Sequence, residues 1–142
     1  MSASKKLSIA VKALYVLEKK KDEAQTSFQI ASILGVNPSK LRRVLSMLVK
    51  SNLIESTQGN NGGFVLKKPA EQINLQEVYC SVEEKKAFYL DVHEHTDHSS
   101  PSHRFNNYFL DLFADVQVAI EDKMRLITLK DVVNEIEINK TI

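Results

Sequence analysis

Residues 26–50 read TSFQIASILGVNPSKLRRVLSMLVK, a pattern typical of two short helices joined by a tight turn. Thr26 and Gln29 have the spacing of a capping box, so they predict the start of a short helix. The glycine in the middle of the stretch ends that helix, because glycine adopts the left-handed C′ conformation at the least cost. Asn37 and Pro38 then begin a second helix as its N-cap and its first residue. Two helices joined by such a short turn predict a helix-turn-helix.

The segment that follows, residues 53–68, predicts a β-hairpin. It reads LIESTQGNNGGFVLKK, in which strand-forming residues flank a turn cluster that contains Asn61-Gly62. Asn-Gly between alternating runs is a strong hairpin signal, and Pro69 ends the second strand, expected over residues 64–68. A helix-turn-helix followed directly by a hairpin is a winged helix. We therefore expect a mainly α protein with a small β-hairpin, folded as a winged helix-turn-helix.

Amphipathic periodicity predicts the other helices. Apolar residues recur at helical spacing over residues 4–20, after Asn74, over residues 103–125 and after Thr128. The long helix carries apolar residues on both flanks, which is more than a helix on one small domain normally buries. The expected organisation is a DNA-binding winged helix at 1–80, an effector or linker loop at 81–103, a long dimerisation helix at 104–126, and a C-terminal helix at 127–142 that packs back on the winged helix.

Composition and charge narrow the class of protein. The chain has 142 residues, 43% of them hydrophobic and 26% charged, as expected for one soluble domain. It has no apolar run of membrane-spanning length and no signal-peptide pattern at its start, so we expect a cytoplasmic protein. Residues 1–68 contain 12 basic and 4 acidic residues, a net +8, whereas residues 69–142 contain 7 and 14, a net −7. A basic half predicts a polyanion partner.

Double-stranded DNA is the expected partner, because the second helix of a helix-turn-helix enters the major groove. Arginine can bind guanine in a bidentate manner, while Lys50, Lys67 and Lys68 suit phosphates. A winged helix that binds only another protein remains an alternative. The candidate DNA-binding residues are Ser27, Asn37, Ser39, Lys40, Arg42, Arg43, Ser46 and Lys50, with Gln58, Asn60, Asn61 and Lys67 in the wing.

These residues resemble the Rrf2 family of bacterial winged-helix transcription regulators over most of the chain. The most specific likeness is GNNGGF at residues 59–64, which is similar to the family's glycine-rich wing signature ending in an aromatic residue. Residues 30–36, 73–78 and 128–132 also fit. The resemblance implies a homodimer, joined through the long helix, that binds a near-palindromic operator; we expect a repressor. The implied dimer residues are Phe105, Tyr108, Phe109, Leu112, Phe113, Val116 and Ile120.

Departures from the family pattern change what the resemblance implies. Gln58 stands where the family usually has arginine, and Arg42 stands where some members use an acidic residue for base choice. Cluster-binding members carry three cysteines before the long helix, but this chain has one cysteine, Cys80. We therefore expect no iron–sulfur cluster and no other cofactor. A thiol-sensing branch carries a cysteine beside proline, where this chain has Ser100-Pro101.

The sequence leaves more than one interpretation of the sensor open. All four histidines, His93, His95, His98 and His103, fall within eleven residues, so the loop is a weak candidate for binding Zn²⁺ or Ni²⁺. A solvated loop is the preferred interpretation, and a pocket for a small effector is a third. Lone cysteines are mostly buried as small hydrophobes, which is the expectation for Cys80. The chain has no phosphate-binding, nucleophile-elbow or zinc-protease motif, so we expect no enzyme.

Overall fold

The computed structural model describes residues 3–83 and 100–139 and confirms a mainly α protein with one β-hairpin. The long helix begins two residues earlier than predicted. Ser100 caps it and Pro101 is its first residue, a start signal that the apolar periodicity alone does not contain. In chain order the elements are α1 (Ala3–Lys19), α2 (Ser27–Leu34), α3 (Pro38–Lys50), β1 (Ile54–Thr57), β2 (Gly63–Leu66), a 3₁₀ turn (Ala70–Gln72), α4 (Leu75–Val82), α5 (Pro101–Arg125) and α6 (Leu129–Asn139).

The predicted caps fix the helix-turn-helix. The Gln29 N–H donates to the Thr26 hydroxyl at 3.1 Å, and the Thr26 N–H donates to the Gln29 side chain at 2.8 Å. Gly35 has φ 65° and closes α2 in the left-handed conformation. The Asn37 side-chain oxygen accepts from the N–H groups of Ser39 and Lys40, at 2.9 and 3.1 Å. Local hydrogen bonds therefore set where α2 ends and α3 begins.

Replacing Asn37 with alanine should lower the free energy of unfolding by about 1 kcal/mol, because two N–H groups lose their acceptor. Urea denaturation of the full chain measures this change. Asn37→Asp is the matched control, since aspartate keeps an acceptor at the N-cap and should retain most of the stability. Equal unfolding free energies for the alanine variant and the wild type would show that the cap contributes nothing.

The core lies where α1, α3 and α4 pack together. Leu14 of α1 and Leu41, Leu45 and Leu48 of α3 are among its largest fully buried side chains. α6 closes this core against α1, and Glu137 accepts a 2.7 Å hydrogen bond from the Tyr15 hydroxyl. α6 thus packs back on the winged helix.

The hairpin is tied to the helix-turn-helix by backbone hydrogen bonds. β1 and β2 pair antiparallel, with Ile54 opposite Leu66 and Thr57 opposite Gly63. The second strand is shifted from its predicted position: it begins at Gly63 and ends before the two lysines. Outside the hairpin, Gln25 and Phe64 exchange N–H···O bonds of 3.1 and 2.8 Å. The residues just before α2 and the second strand of the wing therefore form one connected surface.

Candidate nucleic-acid interface

α3 presents a polar face opposite its buried apolar face. The inward residues recur at helical spacing, so the residues between them must point to solvent. All six predicted α3 side chains, Ser39, Lys40, Arg42, Arg43, Ser46 and Lys50, are exposed. Four of these six carry a positive charge. The arrangement suits the major groove, which is about 12 Å wide and admits one α-helix.

Arg43 is exposed on this face without a carboxylate partner among the described residues. Its guanidinium forms no ion pair with any residue in the described ranges, whereas Arg42 lies 3.4 Å from the Ser39 hydroxyl. An arginine that no neighbouring carboxylate neutralises keeps its N–H donors for a guanine or a phosphate. Both arginines are exposed near the middle of α3, so either guanidinium can reach into a groove that α3 occupies.

Three predicted phosphate or base contacts already have protein partners. Asn37 uses its side-chain oxygen to cap α3, which leaves only its amide N–H₂ for DNA. The Lys67 ammonium donates to Asn52 at 3.1 Å, and Lys68 pairs with Glu77 at 3.0 Å. These bonds hold the two lysines beside the wing. They also reduce what each lysine can contribute to phosphate binding, because the existing contacts compete.

The wing tip exposes Gln58, Asn60 and Asn61, as the sequence predicts. Thr57 stiffens the hairpin just below the tip, because its hydroxyl accepts from the Gly63 N–H at 3.1 Å and lies 3.2 Å from the Gly63 carbonyl. Amide side chains can donate to and accept from base edges or phosphates. The tip is therefore a short, rigid loop of hydrogen-bonding groups.

Two residues near the start of α2 lie next to predicted DNA-binding residues but were absent from the predicted set. Gln25 is only 6% exposed and bonds to the wing through its backbone, a tertiary pairing that leaves no local sequence signal. Phe28 is 75% exposed, and its position outside the apolar period of α2 was a usable signal. Ser27, which was predicted, is half-buried between them.

α5 carries an aromatic ladder in which Phe105 is exposed and Phe109 and Phe113 are half-buried. Phe105, Phe109 and Phe113 stack at successive helical turns, with ring centroids 4.2 and 5.5 Å apart. Phe105 is 59% and Tyr108 is 63% exposed. Leu112 is also exposed, whereas the predicted Val116 and Ile120 are half-buried.

Among the described residues, no helix combines the length and the apolar character that a membrane span requires.

Three buried polar atoms belong to α4, to the residue that follows it and to α5. The Tyr79 hydroxyl, one Glu83 carboxylate oxygen and the Gln117 carbonyl are buried, with no hydrogen-bond partner among the described residues. Burial raises the pKa of the Glu83 carboxyl above its ordinary value, and the nearby Lys6 ammonium opposes that shift. Buried polar groups without partners are uncommon in folded proteins and need an explanation.

Of the four predicted sensor histidines, one lies in the described part of the chain. His93, His95 and His98 lie outside the described residues. His103 lies in the first turn of α5, with its ring nitrogen 3.1 Å from the Asn107 amide. In residues 3–83 and 100–139, no three His, Cys, Asp or Glu side chains are grouped so as to hold a metal ion.

The expectation that Cys80 is buried was wrong. Its thiol is exposed on α4, and its sulfur accepts a 3.0 Å hydrogen bond from the Gln76 side chain. The apolar residues of α4 that pack into the core lie on the other side of the helix: Val78 and Val82 are each 1% exposed. Helical phase therefore outweighs the general preference of cysteine for the interior.

Comparison with known proteins indicates a transcriptional regulator, the class of protein that the sequence predicts. Residues 3–135 match the Rrf2 family profile, which is described as an iron-dependent transcriptional regulator. The Bacillus subtilis protein YwnA, named as an HTH-type transcriptional regulator, is 32% identical over 132 residues, covering 92% of this chain and 96% of YwnA. An NsrR regulator from Halalkalibacterium halodurans is 35% identical over 71 residues, about half of each chain.

The cysteine content of this chain does not fit an iron–sulfur cluster. A cluster of the cysteine-ligated kind needs several thiolates. The chain has one cysteine, and it lies exposed on α4 beside Gln76. A single thiolate cannot hold such a cluster within one chain.

Solved structures support the fold. A protein from Lactobacillus plantarum described as a transcriptional regulator superposes with a TM-score of 0.79 at 24% identity, covering 93% of this chain and 89% of that one. The T. potens IscR structure gives 0.70 at 20% identity, covering 95% and 88%. With the family profile spanning residues 3–135, these findings establish that the chain belongs to the Rrf2 family of DNA-binding transcriptional regulators and is not an enzyme.

Proposed function

We propose that this chain is a cytoplasmic repressor that binds a near-palindromic operator as a homodimer and releases it when a small effector binds. The observation that carries the proposal is the exposed, basic face of α3 beside a wing that is hydrogen-bonded to the start of α2. In the proposed complex, α3 reads the major groove while the wing contacts the flanking backbone. The basic first half of the chain supplies the phosphate attraction.

Selection of the wild-type protein on random-sequence duplexes tests operator binding directly. We expect one near-palindromic sequence to be enriched and to bind more tightly than random DNA at two salt concentrations. Phosphate contacts alone give binding that weakens with salt but shows no sequence preference. Enrichment of no sequence would contradict the operator, and binding to neither duplex would favour a winged helix that binds only proteins.

Replacing Arg43 with alanine should weaken binding to that operator by about 1–3 kcal/mol, because the variant loses a base-contacting guanidinium. Fluorescence anisotropy with a labelled duplex measures the affinity. Lys130→Ala is the matched control, since it removes an equal charge from exposed α6, away from the α3 face. If the two variants bind alike while both remain folded, α3 does not dock as proposed.

The homodimer is supported by the surface of α5. Among the described residues of α5, Gln117 is the only one classed as buried, although the helix carries a run of aromatic and aliphatic side chains. A contiguous exposed apolar surface of this kind marks an interaction site. A second copy offers the same ladder in return, which suits the self-complementary interface of a two-fold dimer.

We propose that the effector binds where α4 packs on α5. Tyr79 lies on α4, Glu83 directly follows α4, and Gln117 lies on α5, and each has a buried polar atom without a hydrogen-bond partner among the described residues. A ligand with hydrogen-bond donors would satisfy the carboxylate and the amide carbonyl. Binding there would change how α5 packs on α4, and hence the spacing of the two α3 helices in a dimer.

A further inference from the structure

Phe28 is an exposed apolar side chain near the start of α2. It occupies the second position of α2, and its exposed fraction of 75% is the largest of any aromatic side chain in the described ranges. Ile30 and Ala31, which follow it, turn inward and are buried, so Phe28 is not part of the core. The folded monomer therefore gains nothing from the burial of this ring.

The backbone brings the residues just before α2 against the wing. Gln25, three residues before Phe28, exchanges two hydrogen bonds with Phe64 of β2. Thr26 caps the helix, so Phe28 lies within its first turn, at the end with free N–H groups. In a helix-turn-helix this first helix crosses the DNA backbone while the second enters the groove. In the proposed complex, a side chain at the start of α2 would lie where the helix crosses the DNA backbone, next to the groove that α3 occupies.

The positive charge around Phe28 favours nucleic acid as the partner that binds this surface. Residues 1–68 carry a net +8, and the exposed cations of α3 lie on the adjoining helix. Such a surface attracts a polyanion, and DNA is the polyanion that also offers apolar atoms in its major groove. The thymine C5-methyl group is the one apolar group on the base edges there, and phenylalanine can contact it.

We propose that Phe28 contacts a thymine methyl group at the edge of each half-site, so that α2 as well as α3 reads sequence. This inference deepens the proposed operator binding and rests on it. The contact adds an uncharged, base-specific interaction beside the arginine contacts. It predicts that one thymine position in each half-site depends on its methyl group and on Phe28 together.

The test replaces single thymines of the selected operator with deoxyuridine, which removes only the methyl group. For the wild type we expect about a fourfold loss of affinity at one position per half-site, the value of one buried methyl-sized group. Phe28→Ala should lower affinity for the unmodified operator by on the order of tenfold, comparable to one wrong base pair. In that variant, deoxyuridine at the same position should cause no further loss.

Two controls separate this inference from a general loss of binding. Ile33→Ala removes another exposed apolar side chain of α2, one that is 51% exposed, and should leave the deoxyuridine pattern unchanged. The salt dependence of Phe28→Ala should equal that of the wild type, because no charge is removed. Phe28→Leu should retain part of the methyl sensitivity.

Several results would overturn the inference. Phe28→Ala binding within twofold of the wild type, or keeping the wild-type deoxyuridine pattern, would show that the ring does not read thymine. If the wild type prefers an operator but shows no methyl-sensitive position, this inference fails while the proposed function stands. If the wild type prefers no sequence at all, both fail together.

Discussion

Replacing Phe109 with aspartate is expected to convert the proposed dimer into monomers and to lower operator affinity by about two to four orders of magnitude. Phe109 is the middle ring of the aromatic ladder, 4.2 Å from Phe105, 5.5 Å from Phe113 and 5.7 Å from Tyr108. A carboxylate at this point would have to be buried without a partner in the proposed interface, which is strongly unfavourable. The affinity falls because each half-site must then be bound alone.

Sedimentation velocity of the full chain measures the oligomeric state, and anisotropy on the selected operator measures the affinity. Leu126→Asp is the matched control: it places the same charge on an exposed apolar residue just after α5, outside the ladder. The control should sediment as the wild type does. A Phe109→Asp variant that sediments as a dimer would remove the ladder from the interface, and a monomeric wild type would remove the homodimer.

Replacing Gly63 with alanine should lower the free energy of unfolding by about 3 kcal/mol or more. Gly63 has φ 152°, which L residues rarely adopt, and an added Cβ would lie 2.6 Å from the carbonyl carbon and oxygen of Gln25. Those are backbone atoms, so the neighbour cannot move aside as a flexible side chain would. The wing would have to separate from the start of α2, and operator affinity should fall as well.

Gly59→Ala is the control that isolates this close approach. Gly59 also has a positive φ, 105°, but an added Cβ would meet nothing within 4 Å. It should therefore lose only the conformational part, about 1 kcal/mol. Urea denaturation of both variants measures the difference. Equal losses would mean that the contact between Gly63 and Gln25 does not constrain the wing.

The helix-turn-helix and the wing were predictable because their signals are local. The spacing of Thr26 and Gln29 and the order of Asn37 and Pro38 specify hydrogen bonds within one helical turn, and the structure contains them. The exposed face of α3 followed from the same reasoning, since the period of the apolar residues fixes which side chains point outward.

The parts that sequence reasoning missed depend on tertiary pairing. Gln25 became a wing contact only because Phe64, 39 positions later, returns beside it. The two bonds use backbone atoms, so no side-chain type records them. Cys80 shows the opposite error: a general preference for burial was applied where the phase of α4 already placed the thiol outward. The buried polar atoms of Tyr79, Glu83 and Gln117, which have no hydrogen-bond partner among the described residues, likewise have no local sequence signal.

The anchoring of α5 at its C-terminal end has a mechanical consequence. The backbone bonds from Leu75 to Ile127 and from Leu129 to Ile73, 2.9 and 2.7 Å long, fix the residues after α5 against the start of α4. α5 is about 37 Å long at 1.5 Å per residue, so a small change of its angle at this end moves the other end by a large distance. A tilt of about 10° at this end displaces the far end by roughly 6 Å, nearly two base-pair steps of 3.4 Å. In the proposed dimer, the angle of α5 would therefore decide between operators whose half-site spacing differs by one base pair.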